Sequence, residues 1–367
     1  MRRAWKILSY FQKRKFTVDL TYSSDLGGEP MSEGDIRQLM KVSGVENVFS
    51  LRRKPKKREV FKYLFQYKIA KLVNRKKSKK SIPNFVTAYS KRLFKEILRQ
   101  NKYDYIIISY LYWADLIKDA KLTKGATLIV DTHDFLTSQE QQKKGLRIGA
   151  AFEDEINRLR LFDEVWVVST DEQYLFRQFC DKNIQLVPIA FDVEKKQASE
   201  NMSFDLIYVA SDNPHNVRAA KWFFDEVFPK IEMVTLCVIG KIVDYVPEHP
   251  NVLKIGFAEE LGAYYRRSRI AICPMLSGTG VKIKVLEALS YGLPVVCSPR
   301  GVDGLISKAD NGCYIGDTST DFAEGVLKLL SNQDEYKTLA DKAVSFMAAN
   351  YSEQRFENIL DYVFLKK

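Results

Sequence analysis

Ser277 to Pro294 reads SGTGVKIKVLEALSYGLP, with the apolar run Ile270, Ala271, Ile272, Cys273 just ahead of it and Val295, Val296, Cys297 just behind. Short apolar runs on either side of a glycine-punctuated turn and an amphipathic segment predict strand, loop, helix, strand, one winding of a parallel α/β sheet. Gly278 and Gly280 let the backbone approach a ligand closely. A helix opening near Val281 turns its unpaired N–H groups and the positive end of its dipole towards the same point, which makes an anion site. Lys282 and Lys284 fall in the first turn, where a cation works against the dipole, and an anionic partner accounts for them. Ile283, Leu286 and Leu289 recur at a spacing of three and are expected to share a core face. Taken alone, the loop reads equally well as a tight turn with solvated lysines.

The chain has 367 residues, enough for two domains with a core each. Its five cysteines (Cys180, Cys237, Cys273, Cys297, Cys313) are scattered, mostly inside apolar runs, and read as small buried hydrophobes of a reduced compartment. They form no CxxC pair and no Cys/His cluster, so no metal is expected. No apolar run approaches the roughly twenty residues needed to cross a bilayer, and the N-terminus lacks a hydrophobic signal core, so a cytoplasmic protein is expected. The net charge of +11 is unevenly spread. Residues 1–100 hold 26 Lys and Arg against 8 Asp and Glu, a net +18, while the remainder holds 31 against 38, a net −7. Such a split points to an anionic surface met by one domain only.

The first residues, MRRAWKILSYF, place Trp5 and Leu8 on one helical face, and a strand is expected at Phe16–Tyr22. A doubly wound domain ordinarily opens with a strand and a glycine-rich turn, whereas this chain opens on the helix. Gly27-Gly28 lies too far along to supply that turn. Residues 52–99 form a basic block in which Phe61, Leu64, Phe65, Ile69, Leu72 and Val73 recur at helical spacing between cationic flanks. It reads equally as a helix on an anionic membrane surface and as a helix packed on the sheet with a solvated basic face. Nucleic acid is the least favoured partner, because no recognised nucleic-acid motif accompanies the charge. Strand-like runs at Tyr103–Tyr110, Ala126–Asp131, Glu164–Ser169 and Ile184–Pro188 then alternate with amphipathic segments. After a polar linker, VEKKQASENMS, a second series follows near Asp205–Ala210, Val234–Gly240, Val252–Gly256, Ile270–Pro274, Pro294–Ser298 and Cys313–Ile315.

VDTHDFLTSQ sets Asp131, Thr132, His133 and Asp134 directly after a strand, at the carboxyl edge where open α/β sheets bind ligands. Alone, it reads first as a satisfied polar turn. In SDNPHNVRAAKW, Asn213 or Asn216 can cap a helix beginning near Val217 and aim its amides at a ligand. FEDEI, Phe152 to Ile156, is acidic but sits inside a helical pattern, so a solvated face is expected rather than a metal site.

The string PMLSGTGVKIKVLEALSYGLPVVCSPRGVDGL, Pro274 to Leu305, resembles almost throughout the sugar-nucleotide site of family 4 glycosyltransferases with the GT-B fold. The resemblance implies an α/β fold of two Rossmann-like domains facing across a cleft. An N-terminal acceptor-binding domain would span 1–192, a C-terminal sugar-nucleotide-binding domain 193–350, and a helix over 351–367 would cross back to the first. Against that pattern the chain is expected to lack the first strand of the N-terminal domain and its glycine-rich loop. Glu287 falls where the family holds the ribose hydroxyls, and Gly278, Thr279, Gly280, Val281 and Lys282 fall where the diphosphate lies. Asn213 and Asn216 face the same donor, and Gly256 and Phe257 resemble the segment that meets the base. His133 is assigned to positioning donor and acceptor, with Asp131 or Asp134 as its orienting carboxylate. Many members carry a second Glu where Thr279 stands; the branch with a Gly-Thr-Gly-Val-Lys loop lacks it too. An Arg and Lys pair that the family often places after the first strand of the second domain is not evident, and Lys282 with Arg218 or Lys221 stands in for it.

The implied activity is a retaining transfer of a hexose-type sugar from a nucleoside diphosphate sugar to a glycan or lipid-linked acceptor in cell-surface polysaccharide synthesis. The enzyme would work at the inner face of the membrane, with no cofactor beyond the donor and no metal. The alternative is a non-catalytic or truncated nucleotide-sugar-binding protein.

Overall fold

A computed structural model describes residues 2–23, 31–55, 82–118, 123–141, 143–194 and 202–365. The Gly27-Gly28 turn, the Phe61–Val73 helix of the basic block and most of the polar linker lie outside the described residues. The chain divides into two compact units: Met1–Val167 with Glu172–Val187, and Val168–Asp171 with Pro188–Lys367.

In the first unit the order is α1 (Arg2–Lys13), β1 (Asp19–Tyr22), α2 (Glu33–Ser43), β2 (Asn47–Ser50), α3 (Ala88–Leu98), β3 (Tyr105–Ser109), β4 (Thr127–Asp131), α4 (Leu136–Glu140), α5 (Ile148–Leu159), β5 (Glu164–Val167), α6 (Thr170–Phe179) and β6 (Asn183–Leu186). Strands β1 and β2 pair in parallel, and β3-β4-β5-β6 form a four-stranded parallel sheet. The apolar positions of these strands, among them Ile106, Ile108, Val130, Val165 and Val167, pack with Leu159, Phe162 and Phe176. Helix α1 buries Leu8, Tyr10 and Phe11, while Trp5, expected on the inner face, is 40% exposed. The residue this helix does bury near its start is Arg3.

The second unit continues with β7 (Phe204–Val209), α7 (Pro214–Trp222), β8 (Leu236–Ile239), β9 (Val252–Ile255), α8 (Leu261–Arg266), β10 (Ser268–Cys273), α9 (Ile283–Ser290), β11 (Val295–Cys297), β12 (Cys313–Ile315), α10 (Ser319–Ser331), α11 (Gln333–Asn350) and α12 (Glu353–Phe364). Its six strands are all parallel in the order β12-β11-β10-β7-β8-β9. Read from β9, this is the 3-2-1-4-5-6 order of a dinucleotide-binding sheet. The sheet is buried on both faces, as its unbroken apolar strands require. Leu206, Tyr208, Leu236, Val238, Ile270, Ile272 and Val296 face a layer holding Phe223, Phe322 and Val326. The alternate residues Ile207, Cys237, Ala271, Cys273, Val295 and Cys297 face Leu286 and Leu289.

Two details depart from the sequence reading. Helix α9 begins at Ile283 rather than near Val281, and its buried stripe is Val285, Leu286, Ala288 and Leu289. At 100° per residue Ile283 lies about 140° from the centre of that stripe, so it is 42% exposed instead of belonging to the core. The FEDEI segment is not a solvated face. Glu155 is 1% exposed, and its carboxylate accepts hydrogen bonds from Leu136 N (2.9 Å), Thr137 N (2.7 Å) and Thr137 Oγ1 (2.6 Å). It satisfies the open amides at the start of α4, a helix whose own preceding residue supplies no side-chain cap. Burial pushes the Glu155 carboxyl up from its ordinary value, against the hydrogen bonds that pull it down.

Candidate functional site

The second unit's sheet reverses its direction of winding between β7 and β10, and in open α/β sheets ligands bind outside the carboxyl ends of the strands at such a switch point. The loops that leave β7 and β10 there are residues 210–213 and 274–282. In the second loop Gly278 and Gly280 adopt φ of 100° and 72°, left-handed values that side chains disfavour. A Cβ on Gly278 would meet the His215 ring at 3.5 Å, an ordinary contact, so conformation rather than space demands glycine here.

Lys282 occupies the N-cap position of α9 without capping it. Its ammonium folds back instead, donating to Gly280 O at 2.8 Å with the Gly278 and Thr279 carbonyls at 3.5 Å. The side chain is 7% exposed, and burial pulls its pKa below the ordinary lysine value. Lys284, one step into the helix, donates to Asn216 Oδ1 at 2.9 Å and stands 5.4 Å over the Tyr208 ring. Burial lowers its pKa as well.

On the β7 side Asn213 caps α7, accepting from Asn216 N at 2.9 Å. The helix therefore opens at Pro214, ahead of the Val217 expected from the sequence. Asn216 donates to Ser211 O and Oγ at 3.0 and 3.1 Å. Two links tie the loops together, Lys284 to Asn216 and His215 Nδ1 to Ser277 Oγ at 2.9 Å. Lys221 lies just over two turns along α7 from its cap Asn213, about 12 Å by helix rise, so the second ammonium by the loop is that of Lys284. Lys284 was expected by this loop from its place in the first turn, whereas His215 was not; the only signal for it was a histidine two residues past a capping Asn.

Glu287 is half-buried and, four residues from Ile283, shares its outward face. Beside it the fully buried Tyr265 phenol is pushed well above its ordinary value by burial, with the Glu287 charge adding to the effect. Gly256 and Phe257 follow edge strand β9, and Phe257 is 81% exposed.

In the first unit, Asp131 ends β4 and is 1% exposed. Its carboxylate accepts from Arg3 Nε (3.0 and 2.8 Å) and from a second guanidinium nitrogen at 2.7 Å, while the third donates to Val187 O at 2.7 Å. His133 Nε2 lies 3.2 Å from Asp131 Oδ2 and 2.9 Å from Ser109 Oγ. Burial raises the Asp131 carboxyl, but the Arg3 guanidinium and the contact with His133 outweigh it and hold it below the usual carboxylate range. Asp134, by contrast, is pushed up by burial and does not pair with the ring. Of the two carboxylates expected to orient His133, the structure brings only Asp131 to it.

His133 and Tyr110 both take left-handed backbone angles, φ 65° and 68°, and their rings stack at 4.2 Å and 13°. Tyr112, Phe85 and Arg53 continue the stack, at 6.0 Å to Tyr110, 4.5 Å between the two rings, and 4.9 Å from guanidinium to ring. Two bulky residues held in a sparsely populated conformation mark a site whose surroundings over-determine it. Arg3, Ser109 and Tyr110 carry no sequence signal of this role.

Residues 203–332 match the model of the family described as glycosyl transferases group 1. The second unit carries a glycosyl transferases group 1 domain. That group 1 domain contains the switch point, both of its loops and Glu287. Over the longer chain, a protein of Klebsiella pneumoniae described as an uncharacterized 44.6 kDa protein in the cps region is 23% identical over 299 residues, covering 72% of this chain and 75% of that one. Among solved structures, HepE of Anabaena in complex with UDP and glucose superposes with a TM-score of 0.66 at 13% identity, over 99% of this chain and 95% of that one. A TarM mutant of S. aureus in complex with fondaparinux, alpha-GlcNAc-glycerol and UDP gives 0.67 at 12% identity, over 100% and 96%. Sucrose-phosphate synthase of Thermosynechococcus elongatus gives 0.64 at 13%, over 95% and 98%. The fold is that of the GT-B glycosyltransferases. Among the described residues no helix is long and apolar enough to cross a membrane.

Proposed function

We propose that the chain is a retaining family 4 glycosyltransferase that moves a hexose-type sugar from a nucleoside diphosphate sugar to a glycan or lipid-linked acceptor in cell-surface polysaccharide synthesis. The observation that carries this reading is the pair of left-handed glycines, Gly278 and Gly280, in the loop that opens α9 beside the switch point, with Glu287 farther along the same helix. Breaking the anomeric bond builds positive charge on the sugar and negative charge on the departing phosphate. Amides of Thr279, Gly280 and Val281, with the dipole of α9, meet the phosphate charge without reorganising, the kind of stabilisation worth roughly 3 kcal/mol per donor. Lys282 exchanges its bond to Gly280 O for a phosphate oxygen, and Lys284 reinforces it. Glu287 accepts from the ribose hydroxyls, Phe257 with Gly256 meets the base, and Asn213 and Asn216 shape the β7 loop on the opposite wall. His133, oriented by Asp131, positions the reacting groups.

The gene neighbourhood named for the Klebsiella relative supports a cell-surface polysaccharide as product, and the UDP in the HepE and TarM complexes supports a nucleotide sugar as donor. The +18 charge of residues 1–100 supports work at the anionic inner face of the membrane, from the cytoplasm, on a lipid-linked acceptor. The donor alone, with no metal ion, is the co-substrate in this reading.

The test is a panel of nucleotide sugars scored for release of free nucleotide with and without membrane-derived acceptor. Release that depends on acceptor is expected for one donor. Nucleotide-sugar binding with no release under any condition would refute catalysis and leave a binding protein.

A further inference from the structure

We propose that Tyr265 is a positioning residue for Glu287: its buried phenol donates to the Glu287 carboxylate and holds one oxygen against the protein, so that the other is presented to the hydroxyls of a bound nucleotide. The inference rests on the ribose role given to Glu287 above, and adds a residue that touches no ligand itself.

Tyr265 lies on α8 and is 1% exposed. A phenylalanine would pack in its place as well, yet a hydroxyl is present, and its oxygen is buried with no hydrogen-bond partner of good geometry among the described residues. An interior hydroxyl in that condition costs stability, and in a native fold it calls for a reason.

The placement of the ring supplies one. Glu287 and Tyr291 stand four residues apart, in and just after the last turns of α9, so their side chains share the outward face of that helix. Helical side chains lean towards the N-terminus, which lays the Tyr291 ring over the turn that carries Glu287. Tyr265 stacks on that ring, with 5.2 Å between centroids and 15° between planes, and so brings its phenol to the same turn. The Glu287 carboxylate stands beside it, and its charge and side-chain contact add to burial in pushing the phenol well above its ordinary value. A phenol raised in this way keeps its proton, and towards a carboxylate, which only accepts, it can only donate.

The stack is also held firmly. Helix α8 comes so close that a Cβ on Gly262 would stand 2.5 Å from the Tyr291 hydroxyl. Arg266 lies over the Tyr291 ring at 5.4 Å, its guanidinium fixed by two bonds of 3.0 Å to Glu194. A donor carried on a ring locked by its neighbours sets the rotation of the carboxylate it meets.

The experiment is calorimetric titration of the full chain, Tyr265→Phe, Glu287→Gln and the double variant with UDP and GDP, followed through whichever binds the unaltered chain more tightly and through its 2′-deoxy form. Tyr265→Phe removes one oxygen and keeps the stacked ring, so the variant should fold. Its Kd should rise roughly 3- to 20-fold, and the penalty for the 2′-deoxy nucleotide should shrink. In the Glu287→Gln background the same change should alter Kd by less than about 2-fold, because the carboxylate it positions is gone. An unchanged Kd, an equal loss in both backgrounds, or an undiminished deoxy penalty in Tyr265→Phe would overturn the proposal. If Glu287→Gln removes the deoxy penalty and Tyr265→Phe leaves it whole, only this proposal falls. If Glu287→Gln leaves it whole, or neither nucleotide binds, the ribose reading falls and this one with it.

Discussion

Glu287→Gln is the sharpest perturbation of the candidate donor site, because it preserves size and removes only charge and one acceptor. Hydrogen bonds to a charged group contribute about 1.5–3 kcal/mol each, against about 0.5–1.5 for neutral partners. Glutamine keeps an oxygen for one ribose hydroxyl and presents an amide to the other. The net loss should be about 1.5–3 kcal/mol, or roughly 10- to 150-fold in Kd. Glu287 faces away from the buried stripe of Val285, Leu286, Ala288 and Leu289, so stability should change little, and removing its charge from beside the Tyr265 phenol leaves that group buried as before. UDP is the natural probe, being the nucleotide in the HepE and TarM complexes, and isothermal calorimetry against UDP and 2′-deoxy-UDP gives a thermodynamic cycle. Wild type should bind the deoxy compound less well, and that penalty should nearly vanish in Glu287→Gln, as expected for groups in direct contact. If the deoxy penalty is undiminished in the variant, with losses adding to within about 0.5 kcal/mol, Glu287 does not touch the ribose.

Glu155→Ala should destabilise the fold by about 2–4 kcal/mol, since it strands the Leu136 and Thr137 amides and the Thr137 hydroxyl in a buried site; an unchanged urea midpoint would contradict the capping role. Asp131 titrates below its unfolded value, so the folded state binds fewer protons than the unfolded one in acid. Its contribution is complete above the unfolded carboxylate value of about 3.9 and is lost as pH falls through the depressed folded value. Asp131→Asn should flatten this limb of the stability curve below about pH 4, measured by denaturant unfolding at stepped pH, and a slope equal to wild type there would refute the pairing.

What could be read from the sequence followed from how locally each feature is determined. Strands β7, β8 and β10 declare themselves because both faces of the sheet are buried and the apolar run is continuous. The candidate donor loop is equally plain, because left-handed backbone at Gly278 and Gly280 leaves glycine as its mark in the sequence. Strand β2, Asn47–Ser50, was missed: it has exposed ends and pairs only with β1, so neither a buried run nor alternation picks it out. Ile283 misled because residues three apart on a helix differ by about 60° in direction, so from Leu289 back to Ile283 the drift reaches about 120° and carries the side chain off the buried stripe.

Side chains that work through a distant partner left no local trace at all. Arg3 in the first helix looks like any other cation of a basic N-terminus, and Glu155 like one acid among three. Each is identified only by what it meets: Asp131 across 128 residues in one case, the amides of α4 in the other. Left-handed backbone at Tyr110 and His133 is the same effect in the main chain, since it comes with the stacked rings and the Ser109 and Asp131 contacts rather than with a glycine that would mark it in the sequence. The glycine loop of the second unit is thus written in residue types that the local backbone requires. The surroundings of His133 in the first unit are written in long-range pairs, which is why an inventory of motifs finds the first and only the structure assembles the second.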